Sequence, residues 1–302
     1  MVKKEKNEGR TIRYKLAMSH LNLANSTKRC NDSSWNPLQN WSKTRPLQIA
    51  VATGGALGYY LGEASKVQGG AATLTYFCGR GKAETTRWML AATGVKFCNS
   101  GLRTHKEFVD LKEKQGKLLF GQLPILELDN HVFTQSASMV EYLAKRANLC
   151  GKDLFEETRC SEIAGAVRDW AQGPMAVAFQ EDKGAYKRGH CTTLFKKFGD
   201  YMEKILKENP SGFMVGENVT YADILVAECL TSYEEMIPGI IDSFQYERLK
   251  MLKNVVCSLP SLKEYLNSPL RYDFPDDTYV TNVRAVLGQP LPPHLKRNGE
   301  NP

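Results

Sequence analysis

Apolar and polar positions change their period several times along the chain, and each change marks an element. Leu74–Phe77 is an unbroken apolar, aromatic or β-branched run, the pattern of a strand, and Gly79-Arg80-Gly81 ends it. Thr86, Met89, Leu90 and Thr93 then recur at three and four residues. That spacing predicts a helix with one face inward, leaving Lys82 and Arg87 free to meet solvent or a ligand. Phe120–Asn130 reads as a turn, a proline, a strand and an Asp-Asn turn into a short strand at His131–Thr134. Ser136 is placed to cap a helix over Ala137–Ala147. Lys152–Thr158 reads as a linker. Beyond it the period is helical over Glu156–Gln180, His190–Lys207, Thr220–Glu235 and Tyr246–Cys257, with short turns after Pro260 and Asp276. Strands confined to the first half, interleaved there with helices, and a second half with helical period alone predict an α/β domain over residues 72–151 and an all-helical domain over 152–302.

Residues 1–71 follow neither period and form an N-terminal extension. Of 302 residues, the first 46 carry ten Lys and Arg against three acids, while the remainder balances at 30 to 30. The entire net charge of +7 therefore lies in the extension, and the basic balance gives no reason to expect a nucleic-acid-binding fold. Ile12, Leu16 and Leu23 form a basic amphipathic stripe of the kind found in mitochondrial presequences, although Glu5 and Glu8 oppose that reading. Leu47–Leu61 is apolar with Gly54, Gly58 and Gly62 four apart, but it falls short of the roughly twenty residues that cross a bilayer. A solvated tail is the favoured reading, with membrane contact through the extension as the other. Cytoplasmic placement is expected, with a mitochondrial one as the alternative.

Eight cysteines show no CxxC pair and no His at metal-ligand spacing, and five scattered histidines suggest no triad. No metal site is expected. The candidate chemistry lies elsewhere: Tyr76 ends the first strand at a glycine-rich turn that opens a helix, so a phenol hydroxyl stands beside free backbone N–H groups. Such a place suits an anion.

Tyr76-Phe77-Cys78-Gly79-Arg80-Gly81, Gln122-Leu123-Pro124, Gln135-Ser136 and Gly216–Asp223 resemble, in order and spacing, the motifs of cytosolic-type glutathione transferases. The alpha class is nearest, and Phe120–Leu128 has sigma-like wording. The resemblance covers roughly residues 72–290. It implies a thioredoxin-like N-terminal domain followed by a helical bundle. It also implies a homodimeric detoxification enzyme that adds the glutathione thiolate to apolar electrophiles, with glutathione as co-substrate and no separate cofactor. The thiolate is the reactive form, and a free thiol has a pKa near ~8.5.

By that resemblance Tyr76 is the donor to the thiolate, and Lys82 stands where the alpha and sigma classes usually have arginine. Lysine keeps the charge but loses the planar fork. Arg80 matches a residue that is commonly structural. Gln122, Gln135 and Ser136 would hold the γ-glutamyl end, Leu123 and a cis Pro124 the cysteinyl amide, and Lys114 or Lys112 the glycyl carboxylate. Asp169 would reach the γ-glutamyl amine of the other subunit, and Phe120 would enter the partner as an aromatic key. The electrophile would lie among Gly79, Met175 and Phe179, under a C-terminal lid helix carrying Val280, Val283 and Leu287. Thr220 with Asp223 reads as a helix cap. Cys78 as a nucleophile is the weaker reading, because it stands six residues before Glu84 where thiol-transferring relatives have four. An isomerase or peroxide reductase on the same site, or a non-catalytic relative, are the rival functions.

Overall fold

The structure is a computed structural model and describes residues 71–296. The amphipathic stripe at Arg10–Leu23 and the glycine-spaced segment at Leu47–Leu61 lie outside the described residues. Among the described residues no helix is long and apolar enough to cross a membrane.

The first half is a four-stranded mixed sheet with helices packed on it. It runs β1 (Ala72–Phe77), a 3-10 turn (Gly81–Ala83), α1 (Glu84–Ala92), β2 (Phe97–Leu102), α2 (His105–Val109) with a wide turn to Lys114, β3 (Ile125–Leu128), β4 (His131–Thr134) and α3 (Ser136–Arg146). Strand order is β2-β1-β3-β4, with β1 parallel to β2 and antiparallel to β3. This is the thioredoxin-like arrangement. Asp129 and Asn130 both take positive φ, at 52° and 62°, which closes the tight β3–β4 hairpin. Leu74, Ile125, Leu126, Met89, Leu90 and Met139 fill the core between sheet and helices.

The second half is helical throughout: α4 (Leu154–Trp170), α5 (Gln172–Ala176), α6 (Lys183–Tyr186), α7 (Thr192–Glu208), α8 (Tyr221–Met236), α9 (Ile240–Ser243), α10 (Glu247–Cys257), α11 (Pro260–Leu266) and α12 (Asp277–Leu287). Helix α8 is buried nearly all round and packs against α4, α10 and, across the seam between halves, α1. The expected cap is present: the Asp223 carboxylate accepts from the N–H groups of Met214 and Thr220, each at 2.7 Å, and from the Thr220 hydroxyl at 2.9 Å.

Three local expectations are corrected. Glu156–Gln180 is not one helix, because Pro174 has no N–H for the Trp170 carbonyl. The Tyr233 hydroxyl donates to that carbonyl instead, at 2.9 Å, and the chain restarts as α5. The linker is shorter than Lys152–Thr158, since the Asp153 side chain accepts from the Glu156 N–H and starts α4 at Leu154. Ser136 is the first helical residue and not the cap. Gln135 precedes it at φ 67°, ψ 112°, with no capping side-chain bond.

Candidate active site

Strand β1 delivers Tyr76 to the end of the sheet, where it is only 5% exposed. The turn then brings the Lys82 N–H to donate to its phenol oxygen at 3.1 Å. Gly81, at φ 41°, is required there: a Cβ on it would overlap the hydroxyls of both Tyr76 and Tyr279. Burial pushes the Tyr76 phenol above its ordinary value of 10, with the Tyr279 hydroxyl, the Lys82 N–H and the Arg87 charge acting the other way. The phenol is thus protonated through the neutral range, the state a hydrogen-bond donor to an anion needs.

Tyr76 opens on a cavity of about 240 Å³. Its polar side is Gln122, Gln135, Ser136 and Lys82, its apolar side Phe77, Phe108, Leu123, Pro124 and Leu287. The Leu123–Pro124 peptide bond is cis, and the Gln135 amide donates to the Gln122 amide oxygen at 2.9 Å. The N-terminus of α3 faces this cavity through Ser136, adding a partial positive charge. A second, more apolar cleft adjoins it across Lys82, Gln135 and Ser136, and includes Met175, Pro174, Phe274 and Pro275.

The structure therefore brings together Tyr76, Lys82, Gln122, Leu123, Pro124, Gln135, Ser136 and Leu287 around one cavity, with Met175 in the neighbouring cleft. Other candidates stand apart. Lys114 is paired with Asp110 at 2.7 Å and does not line the cavity, whereas the Lys112 side chain reaches toward Gly121 on its rim. Asp169 is exposed on α4 and lines neither space, and Phe120 is 61% exposed. Gly79 is covered by the Tyr279 ring, against which Phe179 stands edge-on at 6.0 Å, and Val283 is buried.

Arg87 corrects the sequence reading outright. Although the helical spacing left it free, it is 0% exposed. Its guanidinium donates to Glu84 at 3.0 Å, to Asn99 at 2.8 Å and to the carbonyls of Gly79 and Arg80 at 3.0 and 3.3 Å. Holding those two carbonyls inward fixes the turn beneath Tyr76. Arg80 is also internal, pairing with Glu235 and donating to the Tyr272 carbonyl at 2.6 Å. Lys82 alone of the three cations is exposed, and it lines both spaces.

Sequence reasoning missed Tyr279, the residue of α12 closest to the chemistry. Its signal was available, since Tyr279, Val283 and Val286 share one helical stripe, all buried. Phe108 and Phe274 carried no such signal: Phe108 stands on the single-turn helix α2 and Phe274 in the loop before α12, and tertiary packing brings each to its space.

This architecture and this set of motifs meet their match in known proteins. The family models described as Glutathione S-transferase, N-terminal domain and C-terminal domain match residues 72–145 and 168–269. Mouse glutathione S-transferase A4 is 34% identical over 218 residues, covering 71% of this chain and 96% of its own. The chain belongs to the glutathione S-transferase family. Two solved glutathione S-transferases agree in fold. A Nu-class enzyme of Haemonchus contortus is 33% identical with TM-score 0.55, over 66% of this chain and 96% of that one. Na-GST-3 of the hookworm Necator americanus, described as monomeric, is 30% identical with TM-score 0.58, over 66% and 97%. The two family models fall one on the sheet half and one on the helical half described above, which gives the family fold to both.

Proposed function

We propose that this transferase conjugates the thiolate of glutathione to apolar electrophiles, with the Tyr76 hydroxyl holding the ionised sulfur. The observation that carries the reading is a buried, protonated phenol opening on a cavity whose other polar groups suit a peptide-like ligand. Lowering a thiol pKa by about two units takes about 2.7 kcal/mol of preferential anion binding, within reach of one or two aimed donors. Tyr76 supplies one and the Lys82 ammonium a nearby charge. Gln122, Gln135 and Ser136 would receive the γ-glutamyl end at the start of α3, and the Leu123 backbone the cysteinyl amide. Lys112 or Lys114 remains the cation for the glycyl carboxylate.

In the reaction the thiol proton leaves to solvent and the sulfur pair forms a bond to an electrophilic carbon in the adjoining cleft beside Met175. The displaced group departs with its own bonding pair. Glutathione is consumed as co-substrate and no separate cofactor is invoked. We further assign a homodimer in which Phe120 enters the partner and Asp169 reaches across, a cytoplasmic location with a mitochondrial alternative, and membrane contact, if any, through residues 1–71.

Retention on immobilised glutathione together with turnover of chlorodinitrobenzene tests the reading. Loss of chlorodinitrobenzene turnover in the wild type, with no retention, sinks it. Sedimentation tests the dimer, and a monomer at micromolar concentration would place this chain with the hookworm relative in that respect.

A further inference from the structure

Helix α12 lies across the ends of the two parallel strands, and one side chain ties it there. The β1–β2 ladder stops at the pair Phe77 and Leu102, which leaves the Cys78 N–H beyond it and the Leu102 carbonyl with only the weak Cys78 thiol donor at 3.5 Å. Asn282 takes both. Its Oδ1 accepts from the Cys78 N–H at 2.8 Å, and its Nδ2 donates to the Leu102 carbonyl at 2.9 Å. An amide side chain is thus the rung that continues the ladder, as its paired donor and acceptor allow. Two further ties hold the ends of the helix: Lys183 pairs with Asp277, and a His105 ring nitrogen lies 2.9 Å from the Val286 carbonyl.

Tyr279 is three residues before Asn282, hence on the same side of the helix. Its ring covers Gly79 and its hydroxyl meets that of Tyr76 over Gly81. We propose that Asn282 is a positioning residue, whose paired amide bonds lock α12 across the strand ends and thereby set the Tyr279 hydroxyl against Tyr76. The significance for catalysis rests on the reading of Tyr76 as the sulfur donor, although the coupling itself is a property of the ligand-free protein.

The groups facing the Tyr76 phenol are Tyr279 from α12, Lys82 from the turn and the Arg87 guanidinium from α1. Docking of α12 acts on that phenol in two opposed ways. The Tyr279 ring over Gly79 helps to bury the phenol, and burial raises the phenol pKa, while the Tyr279 hydroxyl brought beside it acts the other way. The two can be separated by mutation.

The experiment is a pH titration of ligand-free protein labelled with 3-fluorotyrosine, followed by 19F NMR, with the Tyr76 resonance assigned by Tyr76→Phe. Tyr279→Phe leaves the helix docked and removes the donor, so the Tyr76 pKa rises. Asn282→Ala frees the helix, so the Tyr76 pKa falls, and amide exchange over residues 279–287 speeds up by roughly tenfold or more, as two lost hydrogen bonds imply. Tyr279→Phe added to Asn282→Ala changes nothing further. Asn282→Asp keeps the acceptor for Cys78 and loses the donor to Leu102, so it falls between wild type and Asn282→Ala. It carries the test if the alanine variant does not fold. An undiminished effect of Tyr279→Phe in the Asn282 variants, or unchanged exchange in α12, overturns the proposal. Absence of conjugating activity with these couplings intact would instead count against the role of Tyr76.

Discussion

The two sides of the turn at Gly79–Lys82 treat charge in opposite ways. Behind it, along the seam with the helical half, Glu84, Glu228 and Glu235 lie among Arg80, Arg87 and Arg271. Glu84 alone accepts from Arg87, from the Trp88 indole at 3.2 Å and from the Tyr265 hydroxyl at 2.9 Å, which ties α1 to α11. In front of the turn, Lys82 makes no ion pair among the described residues and borders two open spaces. Polar groups matched within the chain hold the halves together; those left unmatched beside a cavity are what a ligand can use.

Breaking the matched side should produce the largest effect. Arg87→Met leaves Glu84 buried without its nearest cation and frees the Gly79 and Arg80 carbonyls, so a loss of about 3–5 kcal/mol in folding stability is expected, read from denaturant midpoints. A loss under about 1 kcal/mol would mean that the cluster is not the clamp it looks to be. On the open side, Tyr76→Phe should lower kcat by roughly 10²-fold with little change in glutathione affinity or in stability, because only the ionised sulfur loses a donor. A variant that retained turnover while Cys78→Ser abolished it would reverse the assignment.

The third test separates the sides by pH. Burial, with the Glu84 charge adding to it, pushes the Glu228 carboxyl up to about 7 from its ordinary 4.5. Its nearest partner is the Ser232 hydroxyl at 3.0 Å. Between those two values the folded protein holds a proton that the unfolded chain has lost, so stability falls as pH rises through the window and the penalty is complete above it. Glu228→Gln should therefore match wild type near pH 4.5 and exceed it at pH 8, by roughly 1–3 kcal/mol. Equal midpoints at pH 8 would show that the seam solvates Glu228 better than its burial implies. Smallest is Lys82→Arg, which should lower the thiol pKa of bound glutathione or leave it unchanged, with turnover altered by a few-fold at most. A clear rise in that pKa would remove Lys82 from the site.

Much of the open side was legible before any coordinates. Tyr76 at a strand end and the glycines after it are local signals, carried by turn chemistry and spacing that survive any packing, whereas Gln122-Leu123-Pro124 and Gln135-Ser136 were singled out by the resemblance of their motifs. The Thr220–Asp223 cap was legible from its local spacing too. The matched side was not. Arg87 was read as free because helical periodicity says which face a residue is on and not what covers that face. Its partners Asn99, Gly79 and Arg80 lie on other elements, and the Glu84 contact with Tyr265 spans 181 residues. Lys114 differs again, since its partner Asp110 lies within its own turn and it lines neither space.

What the sequence determined by itself is the succession of elements, the special backbone at Gly81 and in the Asp129-Asn130 hairpin, and the presence of a phenol where a strand meets a helix. Those follow from steric limits on φ and ψ and from short-range periodicity. Only the tertiary structure decided which cation is buried and which is exposed, and that α12 brings a second tyrosine to the first. Both depend on surfaces from distant parts of the chain meeting, where desolvation makes each polar group find a partner or remain available to a ligand.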